Sequence, residues 1–464
     1  MADPTGKIAA STMKADMASK PGRPFSDPVA GLRLVVRGAL LRLDSSMSWS
    51  FLDQLTASGV SFCLGIAAAR FAGHSEFGVF TLVLVLALLA STIIETTLAL
   101  PMMTLAGARR VRSSAYFSAV TLWALLGALF GAMIVASIIG LFFFLRDGTL
   151  HSVLVAVAFA VTIAQAMHNM VRRILFARLS GSVGFLCGVV RGVLIAIGGT
   201  AMVAGGYPVT AAGLLTLLAI ASAASIAVPL VALLRHWPQW RMTKAVFERH
   251  WHMSRWLVGM VGISIGQEQA IWLLIGGLLG DAAVGGARAG QHLLGVTHFI
   301  LLGMHNFVAR EAASAYAAGG HLALTRYLSR RSLQLGALTG SLLLLLAVPA
   351  EFWLGHLLGE DYVQYSNVLR LFALSYAAVF VREIWMMYLR TIDRSRGIFN
   401  AFALSSLLAI AAAVPAMMFA GIYGAVAVII AANVVSLLYV LIEVRRAQHD
   451  AGRGGHDATA RQQQ

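Results

Sequence analysis

The chain has 464 residues, of which 59% are hydrophobic and only 12% charged, with a mean hydropathy of +0.79. A soluble domain averages about 25% charged residues, so a soluble globular protein is excluded; the length instead allows about a dozen membrane spans of about 20 apolar residues each. The net charge of +15 would suit a nucleic-acid surface, but its distribution along the chain excludes that reading too.

Residues 1–30 are polar and proline-containing. They lack the apolar core of a cleavable signal and read as a disordered cytoplasmic tail. In residues 31–43, GLRLVVRGALLRL, Arg33 and Arg37 stand four apart on an otherwise apolar stretch, the pattern of an in-plane interfacial helix. Twelve spans follow, at about 48–70, 77–101, 116–145, 150–171, 183–204, 208–234, 256–279, 284–308, 332–355, 363–389, 397–420 and 422–444. Cys63 and Cys187 both fall inside apolar spans, so no disulfide framework or metal-ligand spacing is present.

All but six of the 35 lysines and arginines fall before the first span, after the even-numbered spans, or in the tail after the twelfth. The loops after odd-numbered spans carry almost none. By the positive-inside rule this alternation places both termini in the cytoplasm. The charge is a topological signal, not a nucleic-acid surface.

The chain divides into a tail and interfacial helix (1–47), a six-helix bundle (48–234), a basic, tryptophan-rich linker (235–255), a second six-helix bundle (256–444) and a disordered tail (445–464). The linker reads as an amphipathic helix on the inner leaflet, with its tryptophans at headgroup level. Both bundles start and end on one side, so any repeat is parallel. Residues 73–101 align without gaps on 280–308, pairing Gly73 with Gly280 and Gly78 with Gly285.

The most informative stretch is 284–308. On a helix, Arg288, Gln291, Gly295, His298, Leu302 and His305 share one face. An arginine in hydrocarbon costs about 2.5–3.5 kcal/mol on insertion scales, so such a stripe turns to a bundle interior or a water-filled path. Of the six basic residues outside the loop census, Arg70 and Arg146 sit at outer span ends, where they can snorkel. Arg191, Arg288, Arg370 and Arg382 lie deeper. The embedded acids are Asp53, Glu95, Glu268 and Glu383. Two readings stay open: internal ion pairs that hold helices in register, or arginines aimed into a hydrated cavity for an anionic substrate, whose phosphates a guanidinium fork fits. In the second reading Arg191, Arg288, Gln291, His298, Arg370 and Arg382 bind substrate, and Asp53, Glu95 or Glu268 takes a coupling ion. Gln165, His168 and Asn169 read as a helix-end polar cluster.

Short loops leave no room for a soluble catalytic domain, and no phosphate-binding glycine loop is present. The chemistry is translocation without a cofactor. Asp147, Asp281, Glu360 and Asp361 are the acids an outward-facing enzyme would have to use.

Two windows carry a family resemblance. In residues 52–80, Ala69-Arg70, Gly73 and Glu76-Phe77-Gly78 resemble the first helical pair of bacterial polysaccharide flippases. Residues 357–374, with Gly359, Tyr362 and Leu369, resemble that family's junction between spans nine and ten. His74 departs from the pattern, where a proline is common. The family belongs to the multidrug/oligosaccharidyl-lipid/polysaccharide exporter (MOP) superfamily. The resemblance implies an all-α protein with twelve spans in two six-helix bundles, a V-shaped central cavity, and alternating access that moves a lipid-linked oligosaccharide outward across the bacterial inner membrane. Its implied partners are a lipid-linked oligosaccharide with an anionic diphosphate, membrane lipids and polysaccharide polymerase or export machinery. The competing functions are a cation-coupled drug antiporter on the same fold, a membrane-embedded enzyme of envelope assembly, and a purely structural export partner.

Overall fold

The computed structural model describes residues 46–107, 114–178, 180–235 and 240–462, and among them every regular element is helical. The interfacial helix expected at 31–43 lies outside the described residues. In the first half, α1 (Ser46–Ile94) continues through a π-helical turn (Glu95–Ala99) into α2 (Leu100–Gly107). Next come α3 (Ser114–Asp147), α4 (Ser152–Ala177), α5 (Gly181–Ala204) and α6 (Ala211–Leu234). The second half holds α7 (Trp240–Leu279), α8 (Asp281–Leu294), α9 (His298–Ala347), α10 (Ala350–Trp353), α11 (Ser366–Thr391) and α12 (Ser395–Gln462).

Seven helices among the described residues are long and apolar enough to cross a membrane, or eight if the bent pair Glu311–Ala347 and Ala350–Leu358 counts as one span. Two of the seven, Leu52–Met103 and Arg396–Asp450, run for 52 and 55 residues, far beyond a bilayer core of about 30 Å at about 1.5 Å per residue. Each is broken by a left-handed glycine, at Gly73 (φ 76°) and at Gly421 (φ 56°). Glycine takes that conformation without the Cβ penalty, so one helical run becomes two crossings. The two remaining expected spans fall on α8–α9 and on α11. These are respectively short and charged, which is why hydropathy alone does not find them.

The linker is not a separate element. Residues 240–255 and the span after them form one continuous α7, whose first part packs on the first half through Trp123 Nε1 donating to the Thr243 carbonyl (2.8 Å) and Tyr116 against His250 (2.9 Å). At the other terminus α12 runs on to Gln462, across the boundary expected at 444/445.

The two halves share one apolar core at the charge-poor end, where Phe77, Trp272, Ala287, Tyr362 and Ala425 belong to a single cluster. Toward the basic end this core splits. One cluster, around Met102, Phe117, Met170 and Leu233, belongs to the first half; another, around Leu328, Ile384, Tyr388 and Val440, belongs to the second. The halves are therefore joined at one end and parted at the other.

The joint is a reciprocal crossing of α1 and α8. Gly73 and Gly280 both have positive φ, 76° and 86°. A Cβ on Gly78 would overlap the Asp281 carbonyl oxygen, and one on Gly285 would overlap that of His74. Residues 74 and 281, like 78 and 285, occupy equivalent positions in the gap-free alignment, so the contact is two-fold symmetric within one chain. Arg70 and Arg146 do more than snorkel there. Arg70 donates to the His356 carbonyl, and Arg146 bonds Asp281 at 2.6 Å and Asp147 at 2.7 Å. Tyr362 adds a hydrogen bond to the Ala69 carbonyl (2.9 Å).

Candidate functional site: a polar cavity between the halves

Where the halves part, a cavity of about 740 Å³ is lined by α1, its π-turn, α2, α4, α5, α6, α7, α8 and α11. Its walls run from Phe77 and Gly65 near the joint to Met103, Phe176 and the half-exposed Arg173 toward the basic end, so it opens there. The π-turn inserts an extra residue per turn, a feature frequent at functional sites, and here it carries Glu95 on the wall.

The charged groups on this wall have two different fates. Asp53 of α1 receives both Nε (3.0 Å) and Nη2 of the buried Arg172 of α4, the bidentate geometry that makes an arginine–carboxylate pair strong. Gly188 on α5 leaves Asp53 its room, because a Cβ there would come within 3.4 Å of the carboxylate. Glu95 accepts from Arg173 (2.6 Å) and Asn169 (3.0 Å). These acids are committed to arginines that the sequence reading had assigned to the loop after span 4. Helix α4 continues to Ala177, so Arg172 and Arg173 lie within it. Their spacing of 119 and 78 residues from their partners hides the pairs from sequence inspection.

Arg191 and Arg288 are treated differently. Among the described residues Arg191 Nη2 meets only the Gln165 amide oxygen, at 2.7 Å. Arg288 donates to the amide oxygens of Gln291 (2.7 Å) and Gln269 (3.4 Å) and stacks 3.8 Å over the Trp272 ring. The Nε of each arginine is buried with no partner among the described residues. Neutral amides orient a guanidinium without cancelling its charge. For Arg288, a desolvated cation–π contact of about 2 kcal/mol and a hydrogen bond to a charged group of about 1.5–3 kcal/mol together offset an insertion cost of about 2.5–3.5 kcal/mol; Arg191 has the hydrogen bond without the ring contact. Both guanidinium groups keep their charge and face the cavity that an anion could enter.

The cavity thus gathers Arg191, Arg288, Gln291, Asp53, Glu95 and Glu268 from the sequence-derived set, and Glu268 is the one of its three acids with no arginine hydrogen bond among the described residues. His292 also lines it, but its ring is taken up by the Phe62 carbonyl at 2.9 Å. Arg370 and Arg382 are not among its lining residues. Arg370 caps the Ala347 carbonyl and pairs with the half-exposed Glu351 at 2.7 Å. Arg382 is enclosed in the second half by Asn433 (2.9 Å), Ser436 (3.0 Å) and Glu383 (3.3 Å). The side chain of His298 lies outside the described residues. His168, from the expected helix-end cluster, is fully buried against Ser225 (2.9 Å).

By sequence the chain matches no protein-family model and no curated protein. By structure it is similar to a multidrug resistance MATE family transporter of the MOP superfamily in an inward-facing conformation, with TM-score 0.66, 12% identity, and 88% of this chain and 99% of that one covered. It is also similar to the lipid II flippase MurJ in an inward closed conformation, with TM-score 0.62, 12% identity, and coverage of 86% and 87%. A third is a MOP superfamily transporter from Pyrococcus furiosus described by the reversed polarity of its binding pocket, with TM-score 0.56, 12% identity, and coverage of 88% and 95%. The chain has the MOP-superfamily transporter fold and is a multi-pass membrane protein.

Proposed function

We propose that this protein is a flippase that moves an undecaprenyl-diphosphate-linked oligosaccharide from the cytoplasmic to the outer leaflet of the bacterial inner membrane, supplying exopolysaccharide or O-antigen synthesis. The observation that carries the reading is the pair Arg191 and Arg288. They are part-buried on the cavity wall, oriented by neutral amides and, among the described residues, hydrogen-bonded to no carboxylate, with Glu268 within electrostatic reach of Arg288, while the other two arginines of the wall are neutralised by Asp53 and Glu95. A diphosphate supplies the missing anion through bidentate hydrogen bonds. In this reading Gln291 hydrogen-bonds sugar hydroxyls, and the polyprenyl tail stays in the bilayer. With the basic end in the cytoplasm, the cavity faces the leaflet on which such substrates are assembled, and alternating access requires the α1–α8 joint to part. Glu268 is the coupling group, since Asp53 and Glu95 already serve as counter-ions. A polymerase or export complex would receive the product.

A cation-coupled drug antiporter on the same fold is favoured by one observation, the aromatic residues Phe62, Phe77, Phe80, Phe176 and Tyr376 of the cavity that Glu268 also lines. The acids of the charge-poor loops give little support to an enzyme, because Asp147 and Asp281 are both bound by Arg146. The decisive experiment is chemical analysis of surface polymer and lipid-linked intermediates in a strain lacking the protein. Loss of polymer with full-length undecaprenyl-diphosphate oligosaccharide trapped in the inner leaflet is expected. Normal polymer with altered sensitivity to cationic drugs would instead establish the antiporter, and truncated glycans on the carrier would establish an enzyme.

A further inference from the structure

On the opposite side of the second span of α1, facing away from the central cavity, a second cavity of about 470 Å³ lies between that span, α3 and the first part of α7. Leu126, Phe130 and Ile134 on its α3 wall are 41%, 65% and 44% exposed, so it is a groove open to the surface that lipid covers. Its floor is set by glycines. A Cβ on Gly131 would come within 3.2 Å of Ala90 Cβ, and one on Gly127 within 3.4 Å of Ile94 Cγ1. The helices therefore approach closely there and the larger side chains splay into walls.

Two polar side chains border the groove, and both are already satisfied. Thr97 donates to the Ile93 carbonyl (2.7 Å) and Trp123 to the Thr243 carbonyl (2.8 Å). Nothing in the groove calls for a polar ligand, so its occupant is a hydrocarbon chain. The α1 wall runs from Leu86 to Leu98, about 18 Å of helix at about 1.5 Å per residue, which matches one leaflet of a hydrocarbon core about 30 Å thick. A single fatty acyl chain has that reach, whereas a polyprenyl chain is far longer.

The groove's basic end supplies the headgroup. Phe247 caps it, stacked between Trp123 (4.3 Å) and Trp251 (6.3 Å). Helical spacing puts Lys244 and Trp251 on the flank of Phe247, and Lys244 is 69% exposed, 3.8 Å from the similarly exposed Glu248. The surrounding segment, WRMTKAVFERHWHMSR, carries four basic residues against one acid, the charge pattern that attracts anionic lipid at a membrane surface.

We infer that this groove binds one acyl chain of an anionic glycerophospholipid from the leaflet at the basic end, with the lipid phosphate at Lys244 and the Trp251 indole at headgroup level. The lipid fastens the α7 segment to α1 and α3, on the half opposite the one that α7 then enters. It is a structural lipid, distinct from any substrate of the central cavity.

The test is native mass spectrometry of the full-length protein in detergent, titrated with phosphatidylglycerol and with phosphatidylcholine of the same chain length. The first bound phosphatidylglycerol should be held about fivefold or more tighter, the scale of one basic residue at an anionic surface. Lys244→Gln should remove the preference while leaving chain binding. Ile134→Trp, at an exposed wall position, should plug the groove and lower retention of both lipids, with Leu126→Trp as a second plug should the first misfold. Equal retention of the two lipids, or plugged variants that retain lipid like the parent, would mean adventitious surface lipid only and would overturn the assignment.

Discussion

The two halves of the molecule use buried arginine in opposite ways. The first half places Arg172, Arg173 and Arg191 on the cavity wall and supplies two carboxylates, Asp53 and Glu95, which leaves Arg191 uncompensated. The second half holds three deep arginines but turns only Arg288 to the cavity. Arg370 and Arg382 are absorbed by Glu351, by Glu383 with Asn433 and Ser436, and by helix-end carbonyls. Depth in the membrane does not decide whether an arginine is neutralised. What decides it is whether a carboxylate, from another helix as for Arg172 or from its own as for Arg382, comes within hydrogen-bonding reach.

The largest effect is expected at Asp53. Asp53→Asn leaves Arg172 buried without its counter-charge, and removing one partner of a buried pair costs about 3–5 kcal/mol. Thermal unfolding in detergent should show a large drop, and Asp53→Asn combined with Arg172→Gln should recover much of it. A single variant as stable as the parent would show that the pair carries no structural weight.

The free arginines come next. Arg288→Ala and Arg191→Ala should each lower export about 10- to 100-fold, the scale of a charged hydrogen bond worth about 1.5–3 kcal/mol, without loss of membrane insertion. Lipid-linked intermediate in the inner leaflet, normalised to protein abundance, measures this. A fully active, normally abundant Arg288→Ala variant would falsify the substrate assignment.

The joint between the halves sharpens the comparison from the other side. Gly285→Ala puts a methyl where the His74 carbonyl oxygen lies, and overpacking of this kind costs about 1–3 kcal/mol. Cysteine cross-linking between α1 and α8 near this crossing should fall in the variant, and Gly78→Ala should behave equivalently because the contact is reciprocal. The smallest effect belongs to Arg370→Gln. Its ion pair with Glu351 is part-exposed and worth about 0–1 kcal/mol, so export should change by less than about fivefold. A collapse of export comparable to that of Arg288→Ala would return Arg370 to the substrate site.

Much of the architecture was legible in the sequence because the bilayer imposes it. Apolar runs separated by alternating basic and neutral loops mark the crossings, since backbone polar groups in lipid must be satisfied within helices. The gap-free pairing of Gly73 with Gly280 and of Gly78 with Gly285 marks equivalent positions in the two halves; that these positions meet in a crossing is visible only in the structure, where glycine tolerates both the positive φ and the close backbone contact. Of the stripe Arg288, Gln291, Gly295, His298, Leu302 and His305, the first three line the cavity wall; a 3-10 turn at Gly295–Thr297 interrupts the helix there, and the side chains of the other three lie outside the described residues.

The identity of the free charges was settled by tertiary structure alone. Arg172 and Arg173 look like loop residues in the sequence, and Arg370 and Arg382 look like substrate ligands. The structure puts Arg172 and Arg173 in ion pairs on the cavity wall and Arg370 and Arg382 off its lining, because an arginine's partner is chosen by which helices pack together, here across 119 residues for Asp53 and 78 for Glu95. Local patterning fixes which face of a helix is polar. Only the packing of helices far apart in the chain fixes which charge on that face is cancelled and which remains to bind a ligand.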